Sequence, residues 1–323
     1  MGAPIRAAES LESTSRQLQY ALEQSATMEE AFQKLYAAAD PPQRASVQQL
    51  EHLLQTPEAA DLESGPGSLS SYPTLVWLLR QSGASAKSAA ALFREYRRHE
   101  AFRATALVAV WSEFNASLAY LGLVLGVLVA VTSMYRFFVL AGFESLYRGF
   151  GIDLPTLTRF AFGGGAPVLA LLLLFALALI VFLLWFVGLL RQRLRRYAPM
   201  PSRYERIPLV GPVACAYHEY LRLSYAAVLR AAGLPAAEAL RRAETRVGSR
   251  ASGPSLDLSM AERLGRLDEE MHFQQEASAD RLLLALARCR RRARIVLSIL
   301  IYYLVASFVS AMYLPIFSLG SAI

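Results

Sequence analysis

The last 29 residues of the chain, 295–323, contain no charged side chain. A run of about 20 apolar residues is long enough to cross the roughly 30 Å hydrocarbon core of a bilayer as a helix. Five arginines come just before this run, at Arg288, Arg290, Arg291, Arg292 and Arg294. Because arginine clusters mark the cytoplasmic end of a span, the pattern predicts a span over 295–315 and a short tail, 316–323, beyond the membrane.

Two further uncharged stretches precede this one, over 114–135 and 160–190. Both are long enough to span a bilayer, and we place the spans at 113–136 and 166–190. The chain is 54% hydrophobic, above the roughly 45–50% of soluble domains, and the excess lies in the three stretches. The sequence therefore predicts an all-α membrane protein with three transmembrane helices.

The arginines give all three spans the same orientation. Dense clusters precede the first span, follow the second and precede the third, whereas the 137–165 loop carries few arginines and the tail carries none. The positive-inside rule then predicts a cytoplasmic N-terminus and a C-terminus outside. Nucleic-acid binding is the other explanation of a net charge of +7. No nucleic-acid motif accompanies the arginines, so we predict no such partner.

The segment 1–112 is predicted to form a first cytoplasmic helical domain. Along 10–55, apolar residues recur at the i, i+3, i+4 spacing of a helix that packs on a core, with a break at a proline pair. A loop rich in Ser, Gly and Pro follows. Two more helices are predicted over 72–79 and 86–109.

The segment 191–294 is predicted to form a second cytoplasmic helical domain. One helix covers 215–232 and ends at Gly233, because glycine tolerates the left-handed conformation of a helix cap. The next begins at Pro235, since proline suits the first turn of a helix. A third is expected to run without interruption from Ala261 into the last span.

The two cytoplasmic segments resemble each other weakly. Residues 16–32 align without gaps on residues 224–240. The shared residues are Glu30 with Glu238 and Ala31 with Ala239. Many helical hairpins would match as well, so this likeness alone indicates only a shared helix–turn–helix rhythm.

Four short motifs add a more specific likeness. They are Pro155 with Thr158; Pro208 and Gly211 within 207–212; Gly233 and Pro235 with Glu238; and Pro315 within 313–317, followed by 320–323. In their order along the chain and in their topology, they resemble the F protein of type II secretion systems and the type IV pilus inner-membrane platform (GspF/PilC type). The resemblance covers nearly the whole chain.

This resemblance implies two homologous cytoplasmic helical-bundle domains and three spans in the bacterial inner membrane, with a periplasmic C-terminus. It also implies a platform without enzymatic activity, cofactor or metal. A cytoplasmic assembly ATPase would act on the platform, which would pass pilin or pseudopilin subunits into a fibre. Other inner-membrane assembly components, membrane lipid and further copies of the chain are the remaining expected partners.

The chain departs from the family pattern at a Gly-Glu-x-x-Gly-x-Leu-Asp-like element. The second segment matches it at Glu262, Gly265, Leu267 and Asp268, but Ala261 replaces the first glycine. The first segment has Ala84 in place of the glutamate and Lys87 in place of the second glycine. The second domain is also shortened by about two helices, since 23 positions separate residues 239 and 262 whereas 53 separate residues 31 and 84.

Two groups of residues follow from these patterns. Candidate partner contacts are Glu262, Gly265, Asp268, Arg288, Arg290, Arg291, Arg292 and Arg294. Residues expected to shape the fold are Pro208, Gly211, Gly233, Pro235 and Pro315. The arginines can face acidic lipid or an acidic ATPase surface, and Glu262 can simply favour a helix N-terminus.

The sequence offers no pattern of catalytic or metal-binding residues. The four histidines lie far apart without ligand spacing, at positions 52, 99, 218 and 272. The spans carry no ionisable residue at mid-membrane, which argues against a transporter. Two alternatives stay open: a degenerate platform paralogue without motor coupling, and an unrelated small transporter or membrane-bound enzyme.

Overall fold

The computed structural model describes residues 16–25, 27–40, 43–44, 47–48, 51–52, 73–82, 86–150, 155–159, 166–248 and 258–322. Across these residues the chain forms helices and turns, with no strand. The prediction of an all-α fold is confirmed for this part of the chain.

Eleven helical segments are labelled here in chain order. They are α1 (16–23), α2 (Met28–Ala38), α3 (Pro73–Ser82), α4 (Ala86–Met134), α5 (Leu140–Phe150), α6 (Thr156–Arg159), α7 (Ala166–Arg195), α8 (Gly211–Ala231), α9 (Ala236–Val247), α10 (Leu258–Arg263) and α11 (Leu267–Ala322). A π-helical turn, Tyr135–Val139, joins α4 to α5, and a 3-10 helix, Ser202–Arg206, precedes α8.

Three helical stretches are long and apolar enough to cross a membrane: Trp111–Gly149, Val168–Arg195 and Leu267–Phe317. Only 17–22% of the most apolar part of each is buried inside the protein, so most of that surface does not pack against the rest of the chain. The helices extend beyond the predicted limits. The 137–165 segment, predicted as a loop, is helical as far as Phe150, and α11 continues past Pro315 to Ala322.

The chain divides into two compact units. The first unit comprises Met1–Ala109 and Leu190–Ala287, and the second comprises Val110–Leu189 and Arg288–Ile323. The sequence-based division placed 1–112 and 191–294 in separate domains, whereas the structure groups most of both in the first unit. Helices from both segments contribute large side chains to the same core, which is the physical reason for the difference.

Buried tyrosines form the centre of this shared core. Tyr225 of α8 packs edge to face on Tyr197 with ring centroids 4.8 Å apart, and Trp77 of α3 lies 5.7 Å from Tyr225. Tyr96 of α4 meets Tyr197 edge to face at 5.5 Å. Each pair of this kind contributes about 0.5–1.5 kcal/mol beyond the burial of its area. The rings therefore tie α3 and α4 to the segment that follows the second candidate span.

The hairpin of α8 and α9 follows the sequence prediction. Gly233 has a φ of 100°, in the left-handed region, and ends the turn after α8. Pro235 is the N-cap residue of α9. Ala239 of α9 is fully buried, as is Ala31, the residue aligned with it in the internal repeat. The aligned positions thus share a core-facing role within the first unit.

The prediction of one unbroken helix from Ala261 is wrong. Helix α10 ends at Arg263, and α11 begins at Leu267. Between them Gly265 has a φ of 69°, a left-handed conformation that L-residues adopt at a cost of about 1–2 kcal/mol. A glycine in this conformation ends a helix because the backbone can no longer continue the right-handed path.

The second unit contains two buried hydrogen bonds to α11. The Thr158 hydroxyl donates to the Ala311 carbonyl at 2.9 Å, and the Tyr147 hydroxyl donates to the Pro315 carbonyl at 2.7 Å. Tyr135 also packs edge to face on Phe308 at 5.8 Å. These contacts fasten α5 and α6 to the C-terminal part of α11.

Candidate functional sites

The predicted arginine group lies on α11 at the start of its second-unit portion, and the structure divides it in two. Arg290 forms an ion pair with Glu113 of α4, and Arg294 Nη2 donates to Ser117 Oγ at 2.7 Å. Exposed side chains are found at Arg288, Arg291, Arg292 and Arg294. Arg290 and Arg294 join two helices of the second unit through their contacts with α4, whereas Arg288, Arg291 and Arg292 can meet a partner or lipid headgroups.

The acidic candidates of the second segment do not share one helix. Glu262 belongs to α10, and its side chain lies outside the described part of the structure. Asp268 stands in the first turn of α11, where its Oδ1 accepts a hydrogen bond from Arg230 Nε of α8 at 3.0 Å. Gly265 forms the turn between α10 and α11. The structure therefore makes Asp268 a contact between α11 and α8.

Asp268 and Arg230 line a cleft of about 460 Å³ in the first unit, which we call the Asp268 cleft. Glu95 of α4 and His272 of α11 also line it. Beside them, Arg98 Nη1 lies 3.4 Å from His272 Nδ1. Charges of both signs thus surround the cleft. Small-molecule sites are lined mostly by apolar groups, so this charged lining differs from that of a typical small-molecule site.

Glu95 connects the cleft to a buried histidine. Its Oε1 lies 3.4 Å from His99 Nε2 on the same helix, and Gln275 Nε2 approaches His99 Nδ1 at 2.8 Å. Burial alone would raise the pKa of Glu95. The interaction with His99, together with the charges of His272 and Arg98, outweighs burial and leaves that pKa below its ordinary value. Glu95 is thus held in its charged form between two helices.

A second buried histidine was not recognised from the sequence. His218 Nδ1 lies 2.5 Å from Glu205 Oε1, and its Nε2 lies 2.9 Å from the Met200 carbonyl. A carbonyl can only accept, so Nε2 carries a proton. Glu205 precedes His218 by 13 residues across a 3-10 helix and a turn, and no helical or strand spacing would have paired them.

Gly211 is required at the beginning of α8 by a close backbone approach. Its N–H donates to the Ile207 carbonyl at 2.6 Å, and a Cβ at this position would collide with the Glu205 carbonyl. Pro208 lies in the turn between these residues. The motif around Pro208 and Gly211 therefore fixes the loop that carries Glu205 to His218.

Arg242 connects α9 to α3 within the first unit. Its Nη1 donates to Gln81 Oε1 at 2.6 Å and to the Gln81 carbonyl at 3.3 Å, while its Nε donates to Glu238 Oε1 at 2.6 Å. Arg241 donates to the same carboxylate but is mostly exposed. The hydrogen bonds that Glu238 accepts from Arg242 and Arg241 hold its pKa below the ordinary value. Glu238, a residue of the resemblance motif, thus orients the arginine that joins the two segments.

Within the described residues, no group of three or more His, Cys, Asp and Glu side chains is placed to hold a metal ion. The fold defines a helical protein with three helices long and apolar enough to span a membrane. Comparison of the chain with protein-family models, with curated proteins and with solved structures gives no match. Function therefore has to be argued from the residues themselves.

Proposed function

We propose that this chain is the inner-membrane platform of a type II secretion or type IV pilus-like machine, coupling a cytoplasmic assembly ATPase to the assembly of pilin or pseudopilin subunits. One observation carries the proposal: the segments before the first candidate span and between the second and third form a single helical unit. A motor that binds this unit contacts segments leading into all three spans. The motif resemblance supplies the class of machine.

Besides the first unit, we assign motor contact to Arg291 and Arg292, which follow that unit in the chain and belong to the second-unit portion of α11. Both side chains are exposed on α11, and the chain is rich in arginine on the side predicted to be cytoplasmic. An acidic ATPase surface would pair with them and would be attracted over distances of about a Debye length, roughly 8–10 Å at physiological salt. Arg290 and Arg294 serve a different role, because they contact Glu113 and Ser117 inside the second unit.

The division within the arginine group provides a matched experiment. The full chain in detergent is immobilised and exposed to the assembly ATPase encoded in the same genome. We expect the Arg291→Gln, Arg292→Gln double variant to retain several-fold less ATPase than the wild type, with a difference that shrinks at high salt. The Arg290→Gln, Arg294→Gln double variant should retain as much ATPase as the wild type but be less stable.

Deletion of the gene should abolish secretion or fibre assembly in the source cell, and the wild-type gene should restore it. The proposal would be contradicted if the chain did not bind the ATPase and the cell still assembled fibres after the gene was deleted. Continued secretion or fibre assembly after deletion of the gene would instead favour the degenerate paralogue, which the replacements at residues 84 and 87 and the shortened second domain motivate.

The proposed orientation can be measured independently of the partners. Single cysteines at exposed positions of the first unit, such as Arg241→Cys, should react in intact spheroplasts only with a membrane-permeant reagent. The native Cys215 and Cys289 would be replaced by serine in that background. Labelling by an impermeant reagent would place the first unit outside the cytoplasm and would contradict the proposal.

A further inference from the structure

A groove of about 600 Å³ lies among the three candidate spans in the second unit. Its walls include Leu128 of α4, Leu169 and Leu173 of α7, and Leu304 and Phe308 of α11. Thr132, Ser133 and Arg136 supply its polar lining, near the C-terminal end of α4 and in the π-helical turn. The sequence shows no ionisable residue at mid-membrane, and the structure places these three polar residues in the groove.

Arg136 lies at the far end of the first span from the Arg290–Glu113 pair. Twenty-three residues separate positions 113 and 136, a distance of about 34 Å at a rise of 1.5 Å per helical residue. The hydrocarbon core is about 30 Å thick. If the Glu113 ion pair marks one membrane surface, Arg136 therefore marks the other, and the groove extends from that surface into the hydrocarbon.

The side chain of Arg136 is exposed and forms no ion pair with the residues that the structure describes. It belongs to the π-helical turn Tyr135–Val139, and π-helical turns within helices are frequent at functional sites. A guanidinium at a membrane surface binds phosphate oxygens through charge-assisted, often bidentate hydrogen bonds. Thr132 and Ser133 place two hydroxyl groups about one helical turn deeper in the same groove.

The lining of the groove favours one kind of occupant. A phospholipid combines both matching parts in one molecule, because an acyl chain matches the leucine and phenylalanine walls and a phosphate matches Arg136. The apolar walls and the positive charge at one end thus favour a lipid over a helix of another protein.

We propose that this groove is a phospholipid-binding site, with the lipid phosphate on Arg136 and one acyl chain between α4, α7 and α11. The site does not depend on the proposed secretion or pilus function. A bound lipid would fill the space between the three helices and bring the negative charge that Arg136 lacks.

Native mass spectrometry of the full chain, released from detergent micelles that contain phosphatidylglycerol, tests the proposal directly. We expect the wild type to retain one phosphatidylglycerol molecule. The Arg136→Gln variant should need about tenfold more lipid for the same occupancy, the effect of losing one charge-assisted hydrogen bond. The matched control is Arg148→Gln, because Arg148 lies on α5, pairs with Glu144 and is not part of the groove lining. This control should bind lipid like the wild type.

A second variant tests the acyl-chain half of the site. Ala170 of α7 lines the groove and is exposed, so Ala170→Phe should fill the groove and reduce lipid retention without touching the arginine. The proposal is overturned if Arg136→Gln and Ala170→Phe, both folded by circular dichroism, retain phosphatidylglycerol as the wild type does. Equal losses in Arg136→Gln and Arg148→Gln would also overturn it, because lipid would then respond only to net charge. Competition by inorganic phosphate alone would show an anion site without a lipid groove and would count against it.

Discussion

The Thr158 hydroxyl donates a hydrogen bond to the Ala311 carbonyl, which has no helical N–H donor because residue 315 is proline. In an α-helix the carbonyl of Ala311 accepts from the N–H of the residue four positions later, and Pro315 has no N–H. The Oγ1 of Thr158 lies 2.9 Å from this carbonyl, and Thr158 as a whole is 1% exposed. In lipid an unsatisfied carbonyl is costly because no water can replace the missing donor. Thr158 therefore satisfies the carbonyl that Pro315 leaves without a donor, although the two residues belong to separate sequence motifs.

The first prediction is that this hydrogen bond matters only while residue 315 is proline. Thr158→Val should lower the free energy of unfolding by about 1–2 kcal/mol, the typical effect of leaving a buried carbonyl unsatisfied. In a Pro315→Ala background the new N–H satisfies Ala311, and the same change should cost close to nothing. A double-mutant cycle from unfolding in mixed micelles measures the coupling. An equal cost in both backgrounds would mean that Thr158 acts through packing alone.

The second prediction concerns Arg242, which joins α9 to α3. Arg242→Gln should destabilise the protein by about 1–3 kcal/mol, because it breaks hydrogen bonds between a charged group and Gln81 that connect residues 161 positions apart. Arg241→Gln removes a neighbouring partner of the same carboxylate but should cost less than about 1 kcal/mol, since Arg241 is exposed. Thermal unfolding followed by tryptophan fluorescence compares the two. Similar losses would show that Glu238, rather than Gln81, is the partner that counts.

The third prediction concerns the start of α8. Gly211→Ala should destabilise the protein by about 1–3 kcal/mol, as overpacking does, because the new methyl group meets a backbone carbonyl that cannot rotate away. Gly188→Ala is the control: Gly188 lies in α7 with nothing within 4 Å of an added Cβ, and alanine is the better helix former. That variant should be as stable as the wild type or more so. A stable Gly211→Ala protein would mean that the 207–211 turn can shift at little cost.

The fourth prediction concerns acid stability through Glu95. Its pKa in the folded protein lies below the ordinary value of 4.5, so the unfolded chain binds the proton more tightly than the folded one. The stabilisation from this carboxylate is therefore fully present above about pH 4.5 and is lost as the pH falls through the folded pKa. Glu95→Gln should lower the unfolding temperature at neutral pH, and the difference from the wild type should narrow as the pH falls below the ordinary pKa of 4.5 and through the folded pKa.

Glu276→Gln serves as the control for the fourth prediction. Glu276 also contacts an arginine of α4, at 3.4 Å from Arg98, but it is exposed. Its replacement should change stability by no more than about 1 kcal/mol at neutral pH. A gap between Glu95→Gln and the wild type that stays constant down to acidic pH would show that the effect of Glu95 does not come from its charge.

The sequence by itself determined the class of fold, because the signals are local. Long uncharged stretches identified three helices able to cross a membrane, and glycine and proline located the hairpin between α8 and α9. Apolar spacing found buried residues such as Leu18, Phe32 and Leu35. These features depend on the bonding and hydration of consecutive residues, so a single segment is enough to reveal them.

Only the tertiary structure decided which distant residues meet. It grouped most of the segments 1–112 and 191–294 in one unit. It also paired His218 with Glu205, joined Arg242 to Gln81, and placed Arg136 in a groove between the candidate spans. Each of these relationships depends on how helices pack, and side-chain contacts across large separations leave no periodic trace in the sequence. Thr158 and Pro315 show this most clearly. Both are motif residues in the sequence. Their relationship appears only in the structure, where the Thr158 hydroxyl lies next to the Ala311 carbonyl, four residues before the proline.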